Sequence, residues 1–169
     1  SKSLGLLYDH SDEWAEVVRL LVSRARAFKD VVEMERTTLS ARSRRLFTLS
    51  AIHGATKILL QGVTLEKIDD RVSIATDFWN EVDSLIPEWG QVRVGRITSG
   101  EMRQDYIHSH GVVLSALGRV GNALVKTGTT KWKPKLAGLS QLDWRRSNAS
   151  FWEGRAMRNG KISKSNDNV

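Results

Sequence analysis

Residues 99–128, SGEMRQDYIHSHGVVLSALGRVGNALVKTG, decide the fold class of this chain. Ser99 is a helix-start residue, and the pattern that follows predicts one long helix from about Gly100 to Lys126. This helix is the last of four main helices that the sequence predicts. We therefore expect a mainly α fold, a compact helical domain with a short basic C-terminal region. A β-hairpin is one candidate structure for that region.

Three glycines interrupt the long helix, and each costs roughly 0.8 to 1 kcal/mol relative to alanine. Gly118 lies two turns after Gly111, and Gly121 lies one turn further on, so all three share a face. The pattern indicates that another backbone approaches closely at this face. A kink or a ligand notch is the alternative.

The other three helices are predicted from caps and apolar spacing. Polar cap residues precede each apolar stripe, and a glycine or a proline marks two of the three ends. The segment from Trp89 to Thr98 has only short alternation and is predicted as a weak strand or a loop. The predicted bounds are Ser11 to about Ala27, a helix capped by Thr48 and stopped by Gly62, and a helix begun by Thr64 and ended by Pro87.

The C-terminal residues 131–169 differ in composition from residues 1–130, which we expect to form the helical core. This basic, tryptophan-rich region is predicted to pack on that core, so that the chain is one domain overall. Asn159-Gly160 lies between two short runs and is a strong hairpin signal, because both residues accept positive φ. Tryptophans so spaced favour anchoring to the core over base stacking. They are Trp132, Trp144 and Trp152.

Composition excludes several classes of protein. The 169 residues contain no Cys, which removes disulfide scaffolds, thiol nucleophiles and Cys-ligated zinc. At 40% hydrophobic and 27% charged residues, the chain suits an ordinary globular core. No apolar stretch approaches the roughly 20 residues of a membrane span. We expect a cytoplasmic protein without a membrane partner, and the absence of an initial Met suggests a fragment of a longer chain.

The net charge of +7 is unevenly distributed. Residues 64–88 hold seven acidic against two basic residues, which gives −5. Residues 36–57 hold five basic residues and no acid, which gives +5, and residues 131–169 hold nine basic against three acidic residues, which gives +6. If the two basic regions lie on one face, they form a surface that binds a polyanion. Solvated basic loops are the alternative.

One cluster resembles metal ligands or an acid/base pair. Asp105 and His108 share a face on a regular helix, but His110 lies about 140° from Asp105. All three therefore cannot bind one ion, and a hydrogen-bonded structural pair is favoured over a catalytic one. His10 and His53 are interpreted as packing residues. We expect no catalytic residue, cofactor or metal.

The basic runs offer better candidates, because guanidinium forks and a nearby helix start suit phosphate. A basic two-stranded ribbon can also enter a major groove or follow a backbone. The alternative for each run is a solvated face or an arginine paired with Asp143 or Glu153. The DNA-contact candidates are Arg42, Arg44, Arg45, Arg145, Arg146, Arg155, Arg158, Lys161 and Lys164, with Ser147 and Asn148 as weaker polar candidates.

Three long strings of this sequence resemble the DndB family of DNA sulfur modification proteins and its relatives with a DGQHR domain. They are TTLSARSRRLFTLSAIHGATKILL, RQDYIHSHGVVLSALGRVGN, and LDWRRSN followed by WEGRAMRNGKISKSNDNV. These strings extend from residue 37 to the last residue with gaps. The DGQHR motif itself is missing, so the chain resembles the C-terminal part of such a protein.

The resemblance implies a bacterial protein of the system that replaces a non-bridging phosphate oxygen of DNA with sulfur. Similar proteins act as DNA-binding transcriptional regulators, typically repressors of the modification gene cluster, and not as the sulfur-transfer enzymes. The implied partner is double-stranded DNA of the promoter region. A homo-oligomer is one possible assembly, but no heptad seam that would indicate a coiled-coil dimer is visible. A metal-dependent nuclease or other hydrolase that uses Asp105 and His108, and a non-catalytic interaction scaffold, are the alternatives.

Overall fold

The computed structural model describes residues 2–128 and 131–164, with the side chains of residues 2–12 excepted. Its helices are α1 (Lys2–Arg24), α2 (Leu49–Leu59), α3 (Ile68–Leu85), α4 (Pro87–Arg93), α5 (Ser99–Asp105), α6 (Gly111–Val125) and α7 (Ala149–Trp152), with 3-10 turns at Arg26–Phe28 and Lys133–Gln141. Strand β1 (Val32–Glu33) pairs in parallel with β2 (Phe47–Thr48), and β3 (Met157–Arg158) pairs antiparallel with β4 (Lys161–Ile162). The mainly α prediction is confirmed.

Helices α2 and α6 form the centre of the fold and run in the same direction. Gly118 faces the backbone of Ala55, and a Cβ at Gly118 would lie 2.5 Å from the Ala55 carbonyl oxygen. The predicted close approach of a backbone is therefore confirmed at Gly118. At Gly121 the crowding comes from side chains instead, because a Cβ there would lie 2.5 Å from Phe78 and 2.6 Å from Leu59.

The long helix predicted from Gly100 to Lys126 is wrong, because it breaks between α5 and α6. The C-terminal region supplies the reason. The Asp105 carbonyl accepts a hydrogen bond from the Arg146 amide at 2.8 Å, and the Ile107 amide donates to the Trp144 carbonyl at 3.0 Å. These bonds replace helical ones and turn residues 106–110 away from the helix axis.

The tryptophans of the C-terminal region anchor it to the core, as expected. Trp132, Trp144 and Trp152 are all buried within the hydrophobic core cluster. The rings of Trp144 and Trp152 stack with centroids 5.2 Å apart. Their indole N–H groups donate to the carbonyls of Leu139 and Asp143. These three rings are therefore not available as a platform for bases.

The hairpin prediction is confirmed at Asn159-Gly160, which joins β3 to β4. Asn159 has φ of 52° and Gly160 has φ of 73°, the positive angles that a two-residue hairpin turn requires. The Glu153 carboxylate accepts hydrogen bonds from both amides of this turn. The turn is thus held from outside as well as by its own conformation.

Several predicted helix bounds are corrected by the structure. Helix α1 begins at Lys2, before the predicted cap at Ser11, and α3 begins at Ile68 instead of Thr64. Thr48 does cap α2, where its hydroxyl oxygen accepts from the Ala51 amide at 3.2 Å. The side chain of His10 lies outside the described residues, and His53 is half-buried.

The segment predicted as a weak strand or loop begins instead with the helix α4. Pro87 occupies the first turn of α4, where the missing N–H costs nothing, while α3 has already ended at Leu85. The buried Asp83 carboxylate holds these helices together. It accepts two hydrogen bonds from Arg93, at 2.6 and 2.8 Å, and one from Arg26 at 3.1 Å.

We expect Gly118→Ala to lower the free energy of unfolding by about 1 to 3 kcal/mol, because the new methyl group overpacks the α2–α6 contact. Urea denaturation measures the change. Gly54→Ala is the matched control: it lies in α2 with nothing within 4 Å of a new Cβ. This control should be neutral or stabilising, by up to about 1 kcal/mol of helix propensity. Equal effects of both changes would contradict the packing explanation.

Candidate nucleic-acid interface

Arg103 of α5 organises the basic loop at residues 40–45. Its guanidinium donates hydrogen bonds to the carbonyl oxygens of Arg45, of Ser40 at 2.9 Å and of Ser43 at 3.2 Å. Burial lowers the pKa of Arg103, but a guanidinium keeps its charge in proteins. A planar fork with five donors can satisfy several carbonyls at once. Arg103 therefore holds the loop in one conformation.

Helix α5 gives the same loop two further supports. The Ser99 hydroxyl donates to the Arg44 carbonyl at 2.7 Å. A Cβ at Gly100 would lie 2.7 Å from the Ala41 carbonyl oxygen, so glycine at this position allows the loop to lie against the helix. With its carbonyls turned to α5, the loop leaves its arginine side chains exposed. They are Arg42, Arg44 and Arg45.

The main chain of Arg103 contacts the second basic region. Its carbonyl oxygen accepts a hydrogen bond from the Arg146 guanidinium at 3.2 Å and contacts His110 Nε2 at 2.9 Å. One residue of α5 thus bonds to the loop through its side chain and to Arg146 through its carbonyl. The two basic regions, distant in sequence, are held on the same short helix.

Arg145 is exposed and pairs with a neighbouring acid. Its guanidinium contacts both Asp143 oxygens, at 2.9 and 2.8 Å, and this pairing lowers the pKa of Asp143 to about 2. The same hydrogen bonds raise the pKa of Arg145. The alternative of an arginine paired with Asp143 is therefore confirmed here, and part of the Arg145 fork is occupied.

The rest of this segment divides into structural and exposed residues. Arg146 is half-buried, and both its amide and its guanidinium bond to α5. The Asn148 side chain donates to the Asp143 carbonyl at 3.2 Å. Ser147 is exposed. Arg146 and Asn148, two of the predicted DNA contacts, therefore hold residues 145–148 in place.

The hairpin presents basic side chains on one face. Arg158 and Lys161 are cross-strand partners and are exposed, whereas their neighbours Met157 and Ile162 pair on the opposite, inward face. Lys164, which follows β4, is also exposed. Arg155 lies over the Phe151 ring at 4.6 Å and donates to the Phe151 carbonyl, so it is partly committed to a local contact.

The alternative pair of Asp105 and His108 lacks the geometry expected of it. Asp105 ends α5 and is exposed, but His108 follows the helix break and is fully buried. His108 Nδ1 accepts a hydrogen bond from the Trp89 indole at 3.3 Å, and its Nε2 lies 3.8 Å from a Glu88 oxygen. Burial lowers the pKa of His108 to about 3. The two side chains do not share a helix face.

Sequence reasoning missed Arg103, the residue that joins the two basic regions. Its hydrogen-bond partners are backbone carbonyls far along the chain, and a carbonyl leaves no mark in a sequence. Arg103 therefore resembles any exposed arginine of a helix. Only the packing of the loop on α5 distinguishes it.

Fold and site together define a mainly α domain with an arginine-rich surface fixed by hydrogen bonds to one short helix. The family model of DndB, described as DNA-sulfur modification-associated, matches residues 1–169. The chain therefore belongs to the DndB family, and it has a role associated with DNA sulfur modification. No curated protein and no solved structure matches it. None of the described helices has the length and apolar character needed to cross a bilayer.

We expect Arg103→Lys to release the loop at residues 40–45, because an ammonium group cannot reach carbonyls that a planar fork spans. Amide hydrogen exchange should accelerate in this loop, and the free energy of unfolding should fall by about 1 to 3 kcal/mol. Arg42→Lys, at an exposed loop residue, is the control. Unchanged loop exchange in Arg103→Lys would contradict the assigned role.

We expect the folded Asp143 carboxyl to titrate with a pKa of about 2, and Arg145→Gln to raise this pKa toward the ordinary aspartate value. The folded pKa lies below the unfolded value of about 4. The ion pair therefore stabilises the fold above that pH, and its contribution is lost as the pH falls toward 2. Carboxyl NMR titration of both chains measures the shift, with Arg42→Gln as control. An unchanged pKa in Arg145→Gln would rule out the ion pair.

Proposed function

We propose that this chain binds double-stranded DNA in the promoter region of a bacterial DNA phosphorothioate modification cluster and represses its transcription. Membership of the DndB family supports a role in the modification system. The regulatory part rests on the resemblance and on the basic surface. The proposal is for a binding protein without catalysis, metal or cofactor.

The observation that carries the proposal is the double role of Arg103. Its side chain fixes the loop at residues 40–45, and its carbonyl bonds to Arg146. Two separate basic regions are therefore held against one short helix. Basic residues on a fixed backbone lose less entropy on binding phosphate than residues of a mobile loop do.

The contacts of each candidate decide its role in this proposal. Exposed basic residues would contact phosphates, and residues engaged by the protein would hold them in place. Arg45 and Arg145 can do both. Arg45 donates from one nitrogen to the Asp30 carbonyl at 2.7 Å, and Asp143 occupies two nitrogens of Arg145 and leaves the third. The phosphate contacts are assigned to Arg42, Arg44, Arg45, Arg145, Arg158, Lys161 and Lys164, with Ser147 as a polar contact, and the positioning roles to Arg146, Asn148 and Arg155.

Phosphate contacts provide affinity and position without reading sequence. Each phosphate neutralised by Lys or Arg releases counterions, so binding weakens as salt rises. The hairpin, with Arg158 and Lys161 on its outer face, has the two-stranded form that can enter a major groove. Occupation of the promoter would then exclude the transcription machinery.

The test is a salt titration of the 169-residue chain on a labelled promoter duplex, with two double variants. Arg42→Glu/Arg44→Glu changes the loop, and Arg158→Glu/Lys161→Glu changes the hairpin. We expect steep salt dependence, with the slope of log K against log salt reduced by about 2 in each variant, since each phosphate contact contributes about 0.9.

The matched control is Arg19→Glu/Lys67→Glu, which makes the same charge change at exposed residues of α1 and at the start of α3. It should bind almost as the parent chain does. Arg146 is unsuitable for charge reversal, because its loss also disturbs the contact with α5. No binding by the parent chain at low salt, or equal loss in the control, would contradict the proposal.

A further inference from the structure

A cleft of about 610 Å³ lies where α2 and α6 begin. Ala51 in the first turn of α2 lies beside Gly111, the first residue of α6, and further along Gly118 packs on Ala55. Because the two helices are parallel, both N-termini open on the same cleft. The positive ends of two helix dipoles therefore meet there.

The buried hydroxyl group of Ser109 is an independent observation at this cleft. The residue lines the cleft and is only 5% exposed. Its hydroxyl oxygen is buried and has no hydrogen-bond partner. Buried hydroxyl groups are almost always partnered, by protein, by ordered water or by a bound ligand, because an unsatisfied one costs free energy.

The N-terminus of α6 is also uncapped. His110 is its N-cap residue, but its side chain caps no amide and instead contacts the Arg103 carbonyl. The first amides of a helix have no partner within the helix. Packing does not require glycine at Gly111, since a Cβ there would make only an ordinary 3.6 Å contact. Glycine leaves room for a ligand to approach these amides.

The charge of the cleft favours an anion. Arg103 is the charged residue among the described residues that line it, and none of those residues is acidic. Burial lowers the pKa of His110, so its ring adds no positive charge to the cleft near pH 7. Thr48 of β2 and Ser50 of α2 also line the cleft.

We infer that this cleft is a binding site for a single phosphate group, held by the Ser109 hydroxyl, the first amides of α6 and the charge of Arg103. Amides at a helix start and a hydroxyl donor suit a tetrahedral oxyanion. The group is either inorganic phosphate or a phosphate of a DNA backbone. The site stands on its own geometry and does not depend on the proposed repression.

The test is a titration of the 169-residue chain with inorganic phosphate, against chloride at equal ionic strength, followed by amide NMR. We expect a saturable shift of the Gly111 and Val112 amides with phosphate only. Ser109→Ala should weaken this binding by about tenfold, the effect of one hydrogen bond to a charged group. Its stability should be equal or higher, since the change removes an unsatisfied hydroxyl.

Ser163→Ala is the matched control, because Ser163 also has a buried, unpartnered hydroxyl but does not line the cleft. It should bind phosphate as the parent chain does. An absent phosphate-specific shift, or equal binding by Ser109→Ala and Ser163→Ala, would overturn the site.

A second arm with duplex DNA at constant ionic strength identifies the source of the phosphate group. If Ser109→Ala also weakens duplex binding and inorganic phosphate competes with the duplex, the site accepts a backbone phosphate. If duplex binding is unchanged while phosphate binding falls, the site accepts free phosphate. A chain that binds phosphate but no DNA would refute the proposed function and leave this site intact.

Discussion

Two backbone hydrogen bonds, from Arg146 to Asp105 and from Ile107 to Trp144, determine how the rest of this molecule is arranged. The local sequence favours one continuous helix, but these two bonds end α5 and a new helix, α6, begins after them. The break sends His108 into the core against Trp89 and places Ser109 and His110 at the new helix start. Without this pairing, neither the second basic region nor the cleft would have its present position.

The parallel contact of α2 with α6 is the second constraint, and it depends on glycine. Gly118 allows the Ala55 backbone to approach within a distance that any side chain would prevent. The Asn122 side chain then donates to the carbonyls of Leu59 and Gln61, which satisfies the C-terminal end of α2. Parallel packing places like dipole ends side by side, and a bound anion at the N-terminal end would offset this repulsion.

Arginines in this chain have two distinct roles that net charge does not separate. Arg93 and Arg26 neutralise the buried Asp83, and Arg103 satisfies backbone carbonyls, so their charges serve the fold. The basic side chains of the loop at residues 40–45 and of the hairpin remain exposed. The half-buried Arg103 fixes the loop backbone from which the exposed arginines extend. The surface charge that a nucleic acid would meet therefore depends on an arginine that bonds to the protein itself.

The sequence by itself determined the features that depend on near neighbours. The helical class, the Thr48 cap, the Asn159-Gly160 turn and the close contact at Gly118 follow from local conformation and periodicity. Only the tertiary structure decided the break after Asp105 and which arginines bond to distant parts of the chain. These features depend on hydrogen bonds between residues far apart in the chain, often to backbone carbonyls, which every residue has and no sequence pattern distinguishes.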